Sequence, residues 1–156
     1  MASINDEQIQ RFYAAFAERD GAAMEACYAP DVRFSDPVFP DLKGPEAGAM
    51  WRMLTAQAKD LEIELAEHGA EGDTGSARWI ARYTFTRSGR PVVNDVRASF
   101  RFGPDGLIRE HTDDFNFHRW ARQALGLSGL LLGWTPIVKG GVRKQARASL
   151  DAFIAE

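Results

Sequence analysis

The chain has 156 residues, of which 45% are hydrophobic and 26% are charged, and these proportions are typical of one soluble domain. Its formal net charge of -3 at pH 7 argues against a general nucleic-acid-binding protein, because such proteins gain affinity by neutralising phosphates. The single cysteine excludes an intrachain disulfide. The polar N-terminus and the absence of a long apolar run predict a cytoplasmic protein without a membrane span.

The first part of the chain has helical spacing. Ile9, Phe12 and Phe16 recur on one side of a predicted amphipathic helix over residues 5–19. A second short helix is predicted from about residue 23 until just before Pro30, because the residue that precedes a proline disfavours the helical conformation. A short strand then leads into Asp36 and Pro37, and Gly44-Pro45 begins a third helix.

From residue 61 onward the apolar residues recur with a period of about 2 in place of 3.6. This alternation predicts strands over 61–65, 78–85 and 96–101, and a last strand over 107–117. The turn sequences GDTG, SGR and GPDG separate these segments, so we expect an antiparallel meander with hairpin connections. Helices segregated to one side of such a sheet make an α+β domain, and a strongly curved sheet leaves a cone that side chains do not fill completely.

The predicted last strand places polar and aromatic residues on one face. Since side chains alternate along a strand, this face is expected to carry Leu107, Arg109, His111, Asp113, Phe115 and Phe117. A histidine and a carboxylate beside aromatic rings indicate either an acid–base pair or a polar patch that orients a ligand. A third alternative is a structural ion pair between Asp113 and Arg109, because a buried carboxylate needs a partner.

The element order, FSDP at 34–37, GPEAGAMW at the start of the third helix and REHTDDF in the last strand resemble the nuclear-transport-factor-2-like (NTF2-like) superfold. Within it, the chain is similar to the branch that contains ketosteroid isomerases and SnoaL-like polyketide cyclases. The resemblance covers residues 5–120, and 121–156 is expected to be a C-terminal helical extension of the same domain. It implies a cone-shaped α+β fold with a hydrophobic pocket.

The resemblance also implies candidate site residues. In ketosteroid isomerases an aspartate in the same Asp-Pro context shuttles a proton, and Asp36 matches it. The family's tyrosine and protonated aspartic acid, which donate hydrogen bonds to the enolate oxygen, fall at Phe12, next to Tyr13, and at Ala98. The chain therefore departs from the family at both positions. We expect Asp36, His111 and Asp113 to be the catalytic residues of a cofactor-independent isomerase, cyclase or dehydratase.

The expected ligand is a small, largely apolar molecule. Its predicted binding residues are Tyr13, Trp51, Trp79, Tyr83, Ala98, Phe100 and Phe115. No HxH or HExxH pair indicates a metal site, and no glycine-rich phosphate loop or dinucleotide fingerprint indicates a cofactor. Two other functions stay open, a non-catalytic carrier of the same ligand and a protein-interaction module of the same fold.

Two further surfaces are candidates for contacts. The outer sheet face is expected to carry Arg82, Arg97 and Arg101, and in this superfold that face commonly pairs two subunits, so a homodimer is expected. The apolar segment GLSGLLLGW at 126–134 is followed by a predicted helix over 141–155. This segment is interpreted as a lid over the cone, a contact between subunits, or a hydrophobic patch for a partner or a membrane surface.

Overall fold

The computed structural model describes residues 3–133 and 135–156. Its first half contains α1 (Ile4–Ala17), α2 (Gly21–Glu25), β1 (Tyr28–Ser35), β2 (Leu42–Lys43) and α3 (Pro45–Gln57). The meander consists of β3 (Glu62–Glu71), β4 (Thr74–Phe85), β5 (Arg90–Phe102) and β6 (Ile108–Asp114). Three helices follow, α4 (Phe117–Leu125), α5 (Leu127–Leu132) and α6 (Pro136–Ala155).

The strands form one six-stranded sheet in the order β2-β1-β6-β5-β4-β3. β1 runs parallel to β6, whereas the other neighbours are antiparallel. The inner face of the sheet buries its apolar side chains against the stripes of α1 and α3, as Phe12 and Trp51 show. The predicted α+β architecture and its four-stranded meander are therefore confirmed.

The prediction for the segment around Pro30 was wrong. α2 ends at Glu25, and β1 begins at Tyr28 with Pro30 inside the strand. The register between β1 and β6 shifts between Tyr28 and Arg33, which marks an irregularity of the pairing. A proline is tolerated at such a place because its missing N–H interrupts no regular ladder hydrogen bond.

The last strand is shorter and more irregular than the alternation predicted. β6 ends at Asp114, and Asn116 caps α4 by accepting a hydrogen bond from the backbone N–H of Arg119 at 2.9 Å. The pairing with β5 shifts near Ile108, so that Ile108 is buried and Arg109 is exposed. The expected single face is thus interrupted. Arg109 lies 3.9 Å from Asp31, so the predicted pairing of Arg109 with Asp113 is wrong.

The C-terminal extension is helical, as predicted, but its long helix begins earlier. Thr135 caps α6 by accepting from the N–H of Val138 at 3.4 Å, and Pro136 occupies the first turn. Leu150 of α6 is fully buried in the main core, so this helix shares a core with α1, α3 and the sheet. Within the described residues, no helix is long and apolar enough to cross a bilayer.

Candidate functional site

A cavity of about 670 Å³ lies between the inner face of the sheet, α3 and the C-terminal helices. Aromatic and aliphatic side chains make up most of its wall, including Trp51 of α3, Tyr83 of β4 and Val142 of α6. Among the described residues that line it, the acidic ones are Asp36 and Asp113. An apolar cavity with a few convergent polar groups is typical of a small-molecule site.

The sheet register brings these two carboxylates together. β1 pairs in parallel with β6, so that Phe34 lies beside His111 and Ser35 beside Thr112. The residues that follow this last pair are Asp36 and Asp113. Because side chains alternate between the two faces of a sheet, these two point to the same inner face as Phe34 and His111. Their proximity also appears in the electrostatics, since the charge of Asp113 raises the pKa of Asp36.

Asp36 is held by the turn that follows β1. Its Oδ1 accepts hydrogen bonds from the backbone N–H groups of Val38 at 2.7 Å and Phe39 at 2.6 Å. No hydrogen bond within the described residues reaches Oδ2. Burial in the apolar wall raises the pKa of Asp36 to about 7, against the opposing effect of the backbone hydrogen bonds and of Arg143.

Asp113 is held by a chain of side chains that runs through the core. Its Oδ1 lies 2.8 Å from Nε2 of His111, whose Nδ1 lies 2.7 Å from the hydroxyl of Tyr28. The indole N–H of Trp51 donates to the same hydroxyl at 2.7 Å. His111 is 1% exposed and Asp113 is 3% exposed, so both ends of this hydrogen bond are removed from water.

The donors and acceptors of this chain match one tautomer of His111. The Tyr28 oxygen accepts from Trp51, and its own O–H, which has no other acceptor among the described residues, donates to Nδ1 of His111. Nε2 then carries the proton and donates to Asp113. With this assignment the donors of Trp51, Tyr28 and His111 in this network each have an acceptor, as buried polar networks require.

Two buried polar atoms of the described chain have no hydrogen-bond partner, the hydroxyl of Tyr13 and the indole N–H of Trp79. Their rings lie 5.9 Å apart, and Trp79 lines the cavity. An unpaired buried donor costs about 1–3 kcal/mol. Burial and the charge of Asp113 raise the pKa of Tyr13 well above its usual range.

The structure divides the predicted site residues into two groups. The residues that line the cavity are Asp36, Trp51, Trp79, Tyr83, Asp113 and Phe115. The residues that lie in the core behind the wall are Tyr13, Ala98, Phe100 and His111. Phe100 packs against the imidazole of His111, with 4.3 Å between ring centroids, and Ala98 pairs with Asp113 across the β5–β6 ladder.

Two site residues were missed by the sequence interpretation. Tyr28 was assigned to a helix, and only its place in β1 brings the hydroxyl to His111. Arg143 lies in the helix predicted over 141–155 and was not named as a candidate, whereas its Nε donates to the carbonyl of Pro37 at 2.9 Å, beside Asp36. The predicted helix over 141–155 is present within α6, but its sequence does not show where the helix docks.

The carboxylates do not form a metal-ligand cluster in this arrangement. Among the described residues, no group of three or more histidine, cysteine, aspartate and glutamate side chains is placed to hold a metal ion. The arrangement offers instead a titratable carboxyl group in an apolar cavity, next to a second carboxylate of fixed orientation. These are the components of proton transfer to and from a bound molecule.

A family model for the SnoaL-like domain matches residues 9–111, from α1 to the middle of β6. The chain belongs to the SnoaL-like domain family. The match contains Asp36 and ends at His111, so Asp113 and the C-terminal helices α4, α5 and α6 lie outside the matched part. A search of functionally curated proteins finds no match.

Solved structures share the fold of this SnoaL-like chain. An NTF2-like protein of unknown function from Burkholderia pseudomallei is 23% identical with a TM-score of 0.68, over 78% of this chain and 97% of the other. A protein with a ketosteroid isomerase-like fold from Catenulispora acidiphila, in complex with trimethylamine, is 17% identical with a TM-score of 0.68, over 83% and 98%. An M. tuberculosis epoxide hydrolase of the LEH-like type is 18% identical with a TM-score of 0.67, over 84% and 97%.

These similarities confirm the NTF2-like superfamily and its SnoaL-like branch for this chain. At such identities the solved structures show a common fold, and a fold of this kind carries many chemistries. The functional argument therefore depends on the side chains of the cavity.

Proposed function

We propose that this SnoaL-like domain is an enzyme that performs cofactor-independent acid–base chemistry on a small, largely apolar molecule, of the isomerase, cyclase or dehydratase type. The observation that carries the proposal is the pair Asp36 and Asp113 on the wall of a largely apolar cavity. Reactions of these three types begin with removal of a proton from carbon beside an activating group, and a carboxylate of raised basicity in an apolar site suits that step.

Asp36 is the proposed proton shuttle. Its pKa of about 7 keeps both protonation states populated near neutral pH, which favours a group that accepts a proton and later returns it. The two backbone hydrogen bonds to Oδ1 fix the carboxyl group and leave Oδ2 for the ligand. A group bound through only one oxygen can exchange its proton without losing its orientation.

Asp113 and His111 have different proposed roles. Asp113 lines the cavity and contacts the ligand, whereas His111 is buried behind it and fixes the orientation of Asp113 through a 2.8 Å hydrogen bond. His111 therefore acts as a positioning residue in this proposal. This role differs from direct proton transfer to the ligand, which was one of the two roles that the sequence pattern left open.

Trp79 supplies the proposed recognition of a ligand oxygen. Its N–H has no partner within the described residues, and its ring forms part of the cavity wall. A carbonyl or hydroxyl oxygen placed there would accept this hydrogen bond and bring the neighbouring carbon toward the carboxylates. Such a donor also stabilises negative charge that develops on the oxygen.

Deuterium exchange into simple ketones tests the proposed reaction. Small cyclic and aromatic ketones that raise the melting temperature are incubated with the protein in deuterated water, and exchange of C–H for C–D is followed by NMR. The wild-type protein is expected to accelerate exchange of at least one bound ketone. Asp36→Asn, which keeps the oxygen that accepts from Val38 and Phe39, is expected to lower the rate by at least about 100-fold.

The matched control is Asp41→Asn, since Asp41 is a 49% exposed carboxylate in the same connection. This variant is expected to exchange like the wild type. If ketones bind but neither the wild type nor Asp36→Asn accelerates exchange, the protein is a carrier and the proposed enzyme activity is contradicted. Absence of binding by any apolar compound would favour an interaction module.

We also propose that the outer sheet face pairs two subunits. A row of small polar side chains crosses this face at Ser76, Ser99 and Thr112, which are register partners on β4, β5 and β6. Beside the row, Arg78 is paired with Asp95 at 2.8 Å, so a partner would meet neutralised charges. Light scattering should show a dimer that Ser99→Glu dissociates and Ser88→Glu in an exposed turn leaves intact.

A further inference from the structure

Helix α5 buries its glycines and exposes its leucines, which is the reverse of an ordinary surface helix. Gly129 lies directly against the backbone carbonyl of Ala121 in α4, and Gly133 packs on the Ala121 side chain. A side chain at Gly129 would collide with that backbone, so the glycines set the close approach of the two helices. The buried side of α5 is therefore glycine, and its leucines are directed outward.

The leucines of α5 are exposed together with the start of α6. Leu127 is 71% exposed, Leu130 46%, Leu132 51% and Ile137 85%. Of the eight large apolar side chains exposed in the described chain, five fall within residues 127–137. We call these residues the leucine patch: Leu127, Leu130, Leu131, Leu132 and Ile137. An apolar surface of this kind usually marks a contact with a protein or a membrane.

The leucine patch lies in a strongly basic part of an acidic chain. Residues 115–150 contain six lysines and arginines and no aspartate or glutamate, which gives this segment a formal charge of +6. Since the whole chain carries -3, the remaining residues carry -9. The charge of this protein is thus divided between two regions of opposite sign.

Several of these basic side chains remain at the surface. Arg119 and Arg122 are exposed on α4, and Lys144 is exposed on α6, so they flank α5 on both sides in sequence. Arg143 and Arg147 are used within the fold, by the Pro37 carbonyl and by Glu46 with Asp151. The surface cations and the leucine patch are therefore separate sets of residues in one segment.

We propose that α5 and the start of α6 form a docking surface for an anionic lipid bilayer, with the leucine patch inserted at the level of the headgroups and Arg119, Arg122 and Lys144 contacting lipid phosphates. Outward leucines supply the apolar area, and the exposed cations of α4 and α6 supply attraction to negatively charged lipids, which is the combination that holds helices at a membrane interface. This inference concerns attachment to the surface of a bilayer and is independent of the proposed reaction.

A second copy of this chain suits the surface less well. In a symmetric dimer the same patch faces itself, so Arg119, Arg122 and Lys144 of each copy would approach the like charges of the other. Like charges held together cost free energy, whereas lipid phosphates neutralise them. The charge complementarity therefore favours a lipid surface.

The docking surface adjoins the cavity. The cavity is lined by Leu125 at the end of α4, Ser128 in α5 and Val138 in the first turn of α6, so it is reached by the same connection that carries the leucine patch. A bilayer docked on this connection would lie next to one wall of the apolar cavity. An apolar molecule dissolved in the bilayer would then have a short path to the site.

Vesicle sedimentation of the full chain tests the inference. The protein is expected to sediment with phosphatidylcholine vesicles containing roughly 30 mol% phosphatidylglycerol and to stay in solution with phosphatidylcholine alone. The triple variant L127S/L130S/L132S is expected to bind at least about 10-fold more weakly, because the inserted apolar area is lost. R122Q/K144Q is expected to bind about 20-fold more weakly, and added salt should reproduce this loss.

Matched controls separate docking from general effects. Ile4→Ser removes an exposed apolar side chain from α1, and K43Q/K59Q removes two cations outside the basic segment, so both should bind like the wild type. All substituted side chains are exposed, and equal melting temperatures check that each variant is folded. Equal sedimentation with neutral and anionic vesicles, or no sedimentation with either, would overturn the inference. Leucine-dependent dimerisation without vesicle binding would assign the surface to a second copy.

Discussion

The two acidic residues of the cavity are held in different ways. Asp113 is fixed from behind by His111, Tyr28 and Trp51, whose hydrogen bonds of 2.7–2.8 Å cross the core. Asp36 is fixed only by the backbone of its own turn, and one of its oxygens has no hydrogen-bond partner within the described residues. The same residue type therefore serves two purposes, an oriented carboxylate at Asp113 and a titratable group at Asp36.

This difference indicates where stability and reactivity are located. The network behind Asp113 is fully buried and has every donor paired, so its loss should weaken the fold. The turn at Asp36 is partly exposed and its carboxyl group is costly to ionise, so its loss should change the response to pH and leave the fold intact. Substitutions in the two regions test this division.

The largest expected effect is that of His111→Ala. The substitution removes the partner of the buried Asp113 carboxylate and leaves the Tyr28 hydroxyl without an acceptor, so the free energy of unfolding should fall by about 3–5 kcal/mol. Urea denaturation measures this change. Asp114→Asn on the exposed side of β6 is the control and should change stability by less than about 0.5 kcal/mol. A similar small effect of His111→Ala would mean that the network does not hold Asp113.

A smaller effect is expected from the titration of Asp36. Its pKa is about 7 in the folded state and about 3.9 when unfolded, so between these values the folded protein binds the proton and the unfolded chain does not. Stability should therefore fall as the pH rises from about 4 to about 7, by at most about 4 kcal/mol in total. Asp36→Asn should remove this slope and be more stable than the wild type above pH 7.

Denaturation midpoints collected between about pH 4 and pH 8.5 give this comparison. Asp41→Asn should retain the wild-type slope, because Asp41 is exposed and paired with Arg33 at 3.1 Å. A slope that persists in Asp36→Asn would assign the titration to another group and contradict the difference between the two carboxylates.

The sequence predicted most of the fold and part of the geometry of the candidate site. Alternation with clear hairpin turns identified the meander, and the phase of β6 correctly placed His111 and Asp113 inward together. The predicted short strand that leads into Asp36 and Pro37 is present as β1, which ends at Ser35. These predictions succeeded because they depend on local periodicity and on turn residues, which the printed sequence contains directly.

The remainder depends on tertiary pairing. The parallel pairing of β1 with β6 places Tyr28 next to His111, although the local pattern around Pro30 favours a helix end. The irregularity near Ile108 turns Arg109 away from Asp113. A shift of one residue in the pairing moves the side chains that precede it in β6 to the opposite face of the sheet. Whether a residue lines the cavity or lies behind its wall, as for Asp113 and His111, follows from packing depth, and strand periodicity does not contain that information.

The smallest pair of effects distinguishes two buried tyrosines. Tyr28 and Tyr13 are 7% and 2% exposed, but the Tyr28 hydroxyl joins Trp51 to His111 whereas the Tyr13 hydroxyl has no partner among the described residues. Tyr28→Phe should lower the free energy of unfolding by about 1–3 kcal/mol, because two buried polar groups lose their partner. Tyr13→Phe removes an unpaired hydroxyl at almost constant shape, so its effect should be close to zero or stabilising. Equal losses in both variants, measured by urea denaturation, would show that burial of the rings and not the hydrogen-bond network determines stability behind the cavity.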